Sequence, residues 1–249
     1  MTQWFFGVIF LFVVPIGLSS PIISPLSEPE RLKEWFAERV GGITISATYE
    51  AEILGIIRTV IQTAHIIESP QYVLFVDRNP TVQLGTLVFV EPDSRQIFII
   101  GTDKVSTGNP NRKGYFVTPL GFHKNSPKHM SYRALGTVNS KGWRGLGLKG
   151  SRVWDFGWRE TQTKKGEPYQ IRMLLHSTDP VYGEIRLGEV GSKGCIRVSH
   201  KFNKFLDQFG ILDAEYEKNT RGRSVLPRNR TPVIFAGSYV LVGESNMGK

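Results

Sequence analysis

Two side chains in this sequence have the types and the spacing for covalent chemistry. Cys195, the only cysteine, sits in Ser192-Lys193-Gly194-Cys195-Ile196-Arg197, and His176 closes the apolar run Met173-Leu174-Leu175. A thiol attacks as the thiolate and is mostly protonated at neutral pH, so an imidazole that takes the proton makes attack practical. On this reading Cys195 is a nucleophile and His176 its general base and acid. Gly194 lets the backbone turn tightly before the sulfur, and amides around Gly194 and Cys195 could then face the oxygen of a tetrahedral intermediate. Ser192 shapes the same turn. Arg197 offers a planar fork that either grips a substrate carboxylate or braces the loop. Each residue alone has a plainer reading. A lone cysteine is commonly a small buried hydrophobe, a lone histidine a satisfied edge residue, and a lone arginine a solvated surface group. Their conjunction is what points to a site.

The run from His176 across fifteen residues to Ser192-Lys193-Gly194-Cys195-Ile196-Arg197 resembles the active-site signature of the L,D-transpeptidases of the YkuD type. These are cysteine enzymes that remodel bacterial peptidoglycan. Val105-Ser106-Thr107-Gly108-Asn109-Pro110 and Phe116-Val117-Thr118-Pro119-Leu120-Gly121 are similar to the family's upstream segments, a strand end and the turn into the next strand. The resemblance runs from about Pro70 to Val242. It departs at two places: the common His-Gly-Thr reads His176-Ser177-Thr178, and Lys193 stands where many members carry a second histidine.

What the resemblance implies is a mainly β fold, a β-sandwich-like catalytic domain with short helices, and acyl transfer without cofactor or metal. Cys195 would attack a stem tetrapeptide of peptidoglycan at the amide between its third and fourth residues. His176 would pass the proton to the departing D-alanine. An amine on a neighbouring stem peptide, or on a lipoprotein, would then take the acyl group. Water in place of that amine would make the same pair an L,D-carboxypeptidase or another peptidoglycan hydrolase. Lys193 and Arg197 fall on the substrate side of the signature.

The elements that must position these residues follow from the pattern of the chain. Residues 1–20 contain an apolar run, Trp4 to Leu18, ending in Ser19-Ser20-Pro21, which reads as a signal peptide or an N-terminal anchor. The protein is therefore expected to be exported, to the periplasm or cell envelope, and to meet a membrane only through that segment if it stays uncleaved. Residues 21–69 are expected to be helical. Ser27-Glu28-Pro29-Glu30 resembles a capping box leading a helix to Arg39, and Gly41-Gly42 ends it. A second helix is expected from about Ala51 to Ile67, with Leu54, Ile57, Ile61 and Ala64 on one face.

Residues 70–249 form the expected catalytic domain. Tyr72–Asp77, Gln83–Val90 and Gln96–Thr102 are rich in Val, Ile and Phe and bounded by turn residues, so they read as strands, as do Arg152–Phe156 and Tyr239–Gly243. Lys201–Ile211 reads as a helix with Phe202, Phe205, Leu206 and Phe209 inward. His123 follows a strand and could face a cleft.

The net charge of +9 is spread along the chain rather than packed in one block, and there is no helix-turn-helix, zinc-finger or RNP pattern. An anionic cell-wall polymer accounts for such charge without nucleic acid. Gly145-Leu146-Gly147-Leu148-Lys149-Gly150 formally matches a dinucleotide fingerprint, but no apolar strand leads into it and a strand follows it. It reads instead as a Gly-rich loop whose Lys141, Arg144, Lys149 and Arg152 contact anionic substrate groups on the acceptor side, the plainer alternative being a solvated loop. His176, Cys195 and His200 lack the paired spacing of a zinc site.

Overall fold

Ser27 starts the chain's first helix by satisfying donors that a helix end leaves open. Its backbone N–H and its hydroxyl both donate to the Glu30 carboxylate at 2.8 Å, and the capping box is completed by the Ser27 side chain. The computed structural model describes Met1 and residues 27–92 and 96–247, so the expected leader lies outside the described residues. Helix α1 spans Glu28–Arg39 and buries Leu32 and Phe36, one turn apart, with Val40 just beyond its end. Phe36 fills a slot in the strand beyond it: a Cβ on Gly101 would stand 2.2 Å from its ring. Helix α2 spans Ala47–Ala64 and starts four residues before Ala51, because Ser46 caps it by accepting from the Tyr49 N–H at 3.2 Å. Its buried stripe is Tyr49, Ile53 and Ile57. Of the stripe read from sequence, Ile57 alone is fully buried, and Leu54, Ile61 and Ala64 are half-buried beside it.

The remainder is mainly β. Strands β1 (Gln71–Asp77), β2 (Leu84–Glu91), β3 (Gln96–Ser106), β4 (Gly121–Lys124), β5 (Tyr132–Arg133), β6 (Arg152–Gln162), β7 (Pro168–Ser177), β8 (Ile196–Val198) and β9 (Tyr239–Gly243) form one nine-stranded sheet. Its order is β4-β9-β1-β2-β3-β8-β7-β6-β5. Helices α3 (His200–Gln208) and α4 (Ala214–Lys218) follow β8. Both halves of the sheet supply one core: Tyr72, Leu74, Val76, Leu87 and Ile100 from the first, Trp154, Phe156, Met173, Leu175, Ile196 and Val198 from the second. Phe36 of α1 and Phe202, Phe205, Leu206 and Phe209 of α3 pack into it. A second cluster sets Tyr49, Ile53 and Ile57 of α2 against Val73, Phe75 and Val88 on the other face of the first half. Strand β1 is therefore buried on both faces, which is why it reads as an unbroken apolar run.

Two buried polar groups in this interior are held by specific partners. Arg152, wholly buried, donates to Asp213 at 2.9 Å and stacks near Trp154 and Tyr216. Its backbone N–H and C=O are both held by the Asn203 side chain of α3. Burial lowers the Arg152 pKa and raises that of Asp213, while each charge holds the other ionised. Such a pair adds little net stability but is costly to break, since one partner is left as an uncompensated buried charge. His123 is also buried, not exposed to a cleft: its Nε2–H donates to the Pro119 carbonyl at 3.0 Å, and its Nδ1 accepts from Arg159 Nε at 3.3 Å. Both ring nitrogens suit the neutral imidazole alone. Burial, aided by the Arg159 charge, brings its pKa down to about 4.

Two outcomes are expected in solution. Asp213→Ala should cost about 3–5 kcal/mol in urea unfolding, and Arg152→Met/Asp213→Leu should recover most of it. The unfolded chain protonates His123 near its ordinary value of about 6.5, the folded one near 4, so in that window the unfolded state binds more protons. Melting temperature should therefore fall on acidification from about pH 6.5 to 4, and the fall should be shallower in His123→Gln.

Candidate active site

Strand β8 is only three residues long, yet it lies between β3 and β7 in the middle of the sheet. It pairs antiparallel with β3 and parallel with β7, in the register Leu175↔Ile196, His176↔Arg197 and Ser177↔Val198. Leu175, Ile196 and Val198 point into the core. Side chains alternate along a strand, so His176 and Arg197 share the opposite face, and Cys195, two residues before Arg197, lies diagonally across from His176. The Cys195 sulfur is 3.9 Å from the Arg172 carbonyl on β7.

The turn that presents Cys195 is held from several sides. The buried Ser192 hydroxyl donates to the Cys195 carbonyl at 2.5 Å and accepts from the Gly194 N–H at 3.0 Å. Gly194 adopts φ +118°, open to glycine, and a Cβ there would meet Ile171 Cδ1 at 2.4 Å. Thr118 donates to the Gly194 carbonyl at 3.0 Å and accepts from the Gly108 N–H at 2.8 Å. The Thr107 carbonyl takes the N–H groups of Gly191 and Ser192 at 2.9 Å each, and Asn109 N–H donates to the Ser192 carbonyl at 3.0 Å. Segments 105–110 and 116–121 are thus the bracing of the cysteine turn. Because the Gly194 N–H is bonded inside the turn, it is not free to hold a substrate oxygen; the Cys195 N–H donates to no backbone group among the described residues.

His176 is 3% exposed and its Nδ1 is 2.7 Å from the Ser177 carbonyl. A carbonyl only accepts, so the proton resides on Nδ1 and Nε2 carries the free lone pair. Burial depresses the His176 pKa to about 4, opposed by the Ser177 bond and aided by the nearby Arg197 charge. The Cys195 thiol moves the other way: burial pushes it up, against the Leu174 N–H and the Arg197 charge that pull it down. Both shifts disfavour the charged form, imidazolium at His176 and thiolate at Cys195.

Arg197 braces rather than reaches out. It donates to the Gly191 carbonyl at 3.0 Å and its guanidinium lies 5.3 Å from the centre of the Trp143 ring, which Arg186 approaches at 5.4 Å. Trp143 belongs to the Gly-rich loop, so this stack docks the loop beside the site. The loop is fixed a second time by Arg144, whose N–H and guanidinium donate to the fully buried Asp179 at 3.0 and 3.3 Å. Asp179 follows His176-Ser177-Thr178 directly, and the Arg144 N–H chiefly holds its pKa down to about 2. A third contact is Gly147, where a Cβ would stand 2.7 Å from Ser177 Cβ. Lys141 and Lys149 are exposed, Arg152 is buried in the scaffold, and exposed Lys193 lies 5.7 Å from the Tyr115 ring. Beside the loop runs a groove of about 410 Å³ lined by Tyr132, Leu135, Gly136, Gly145, Leu146 and Gly147.

Several of these partners are hidden from a reading of side-chain types. The group that orients His176 is a main-chain carbonyl, which has no signature. Asp179 and Arg144 lie far apart in sequence.

No protein-family model matches the chain, and no curated protein does. Among solved structures the chain is similar to the helical cell shape determining protein Pgp2 from Campylobacter jejuni, with TM-score 0.36, 12% identity and coverage of 72% of this chain and 49% of that one. It is also similar to Bd1075 from Bdellovibrio bacteriovorus, with TM-score 0.34, 16% identity and coverage of 70% and 48%. The chain thus spans about half the length of these neighbours.

The neutral pair has a direct readout. Alkylation of Cys195 by iodoacetamide should be slow at pH 6–7 and reach half its maximal rate only above the ordinary thiol value of about 8.5. A fast plateau between pH 5 and 7 would mean that the resting pair is thiolate and imidazolium.

Proposed function

We propose that the protein is a cysteine acyltransferase of the L,D-transpeptidase type, acting on the stem peptides of peptidoglycan. The observation that carries this reading is that Cys195 directly precedes β8, whose Arg197 is the register partner of His176 on the adjacent parallel strand, with the imidazole Nδ1 tied to the Ser177 carbonyl. The sequence resemblance supplies the substrate class. The sheet, with both halves facing one core, is compatible with the β-sandwich of that family.

In the proposed cycle the Cys195 sulfur attacks the amide carbonyl as its proton passes to His176 Nε2. Burial disfavours both charged forms, so charge is expected to develop as the bond forms. The Cys195 N–H is the donor available to the developing oxyanion; losing one such donor typically costs about 3–4 kcal/mol. The imidazolium then protonates the leaving amine of D-alanine, leaving a thioester. An amine from a second stem peptide or a lipoprotein completes transfer, with His176 again taking the proton. Water is present in large excess, so transfer needs an acceptor bound beside the thioester, where proximity raises its effective concentration by orders of magnitude. The groove by Tyr132 and the exposed Lys141 and Lys149 are the surfaces suited to that role, Lys193 to the donor side. Arg144 serves the loop's own anchorage. Such an enzyme works outside the cytoplasm, with residues 1–20 as leader or anchor.

The test is chromatography of products from purified tetrapeptide muropeptides. Crosslinked dimer and released D-alanine are expected. Cys195→Ala should abolish both, and His176→Ala should lower turnover by about 10²–10⁴-fold with the fold intact. Lys141→Gln/Lys149→Gln should shift products from dimer towards tripeptide. Tripeptide alone from the wild type, with acceptor in excess, would identify a carboxypeptidase; turnover by Cys195→Ala would refute cysteine chemistry.

A further inference from the structure

Cations around the site are mostly committed to the protein itself. Arg197 is bonded to Gly191 and stacked on Trp143, Arg144 is paired with Asp179, and Arg133 with Asp207 and the Val225 carbonyl. Arg159 donates to His123 and to the Trp158 carbonyl. Arg172 differs. It lies on β7 two residues before Leu174 and four before His176, on the same face of the strand, and its own carbonyl is the group 3.9 Å from the Cys195 sulfur. Its side chain is 55% exposed, and its NH1 makes no hydrogen bond among the described residues.

The same guanidinium is nevertheless held in place. Its Nε and NH2 both lie 2.6 Å from Asp155 Oδ2, and Asp155 is fully buried, with its other oxygen accepting from the Gly157 N–H at 2.8 Å. An exposed arginine normally loses much rotamer freedom when it binds a ligand; here that cost is met in the folded protein, as in any preorganised binding group. Tyr132 of β5 is near enough for the charges of Arg172 and Cys195 to act on its phenol, and Trp158, 63% exposed, is the cross-strand partner of Arg172. The open side of the guanidinium thus belongs to the face of the sheet that carries Cys195 and His176, with Trp158 as its neighbour across the strand.

We propose that Arg172, pinned by Asp155 and paired across the strand with Trp158, is a subsite for the terminal carboxylate of the peptide whose amide is presented to Cys195. It rests on the proposed function for the identity of that peptide, but not for the carboxylate chemistry. Arg172 is a specificity-determining residue: a peptide ending in a free acid is held, and one ending in a carboxamide is not.

The experiment uses two small probes of the same thiol, anionic iodoacetate and neutral iodoacetamide, with intact mass spectrometry as the readout. Arg172→Gln should lower the iodoacetate rate by about 10-fold and leave iodoacetamide within about 2-fold, since a charge-assisted bond is removed and the thiol is not. Arg172→Lys, which keeps a charge for Asp155 but loses the fork, should fall between. Asp155→Asn/Arg172→Gln, which leaves no buried charge unpaired, should behave as Arg172→Gln. In parallel, wild-type turnover of a tetrapeptide acid should have a lower KM than that of its carboxamide, and Arg172→Gln should erase the difference. An unchanged rate ratio in all three variants, an equal fall for both reagents, or a shift produced by Arg197→Gln instead would overturn the subsite. A shifted ratio in a protein that turns over neither peptide would retain the subsite and remove the transpeptidase reading.

Discussion

Everything at the site depends on three rungs of parallel pairing between β7 and β8. Parallel strands are usually buried and need a long crossover to bring them side by side; here residues 178–195 make it. Leu175, Ile196 and Val198 fasten the rungs from the core side, at 0% exposure. The opposite side of the same rungs then has no freedom about what it juxtaposes, because a slip of one residue would send His176 into the core. The dry interior therefore sets the register, and the register sets where His176 and Arg197 stand. The bracing by Thr107, Gly108, Asn109 and Thr118 serves a related end, since a three-residue strand cannot by itself hold the turn that precedes it.

The electrostatics of the site follow from how deeply that pairing buries it. A histidine closed off from water resists protonation, and a cysteine beside it resists ionisation. Arg197 is near both and opposes the imidazolium while favouring the thiolate. Its guanidinium is held by the Gly191 carbonyl and Trp143, so its charge is a fixed background rather than a mobile ligand. The Gly-rich loop is joined to the site by three unlike contacts: a cation on an indole, an ion pair and a glycine against Ser177. None involves the candidate pair itself; together they fix where the loop stands beside it.

Much of this was readable from the chain in order. Strand β9 coincides with Tyr239–Gly243, and β1 and β2 lie within a residue of their expected bounds, because apolar runs bounded by turn residues state their ends. Strand β3 continues to Ser106 and β6 to Gln162, past where the apolar pattern stops. There single apolar residues, Val105 and Trp158, stand among polar ones, so the rungs continue without a run of hydrophobic residues to announce them. Helix α2 faces the core through Tyr49, Ile53 and Ile57 because Ser46 starts it earlier than the periodic stretch suggests. The candidate nucleophile Cys195 and candidate base His176 stand out by type and spacing. Their supports do not: a carbonyl at Ser177, an aspartate at 179 that meets Arg144, and a neutral histidine at 123 are defined by tertiary contacts alone. Arg152 and Lys149 are both basic residues near one loop, and burial is what separates a scaffold ion pair from a surface charge.

The seat of Phe36 has a consequence for how this fold can drift. Its ring occupies the space that any side chain at position 101 would need, and a Cβ at position 42 would stand 2.9 Å from the same ring. Glycine at 101 is then no independent choice; it is the complement of an aromatic ring arriving from a helix more than sixty positions earlier. Across a lineage of such chains the two sites should change as a unit, a bulkier residue at 101 accompanying a smaller one at 36. A chain that lost the first helix would be released from that rule and free to fill the slot from the sheet itself.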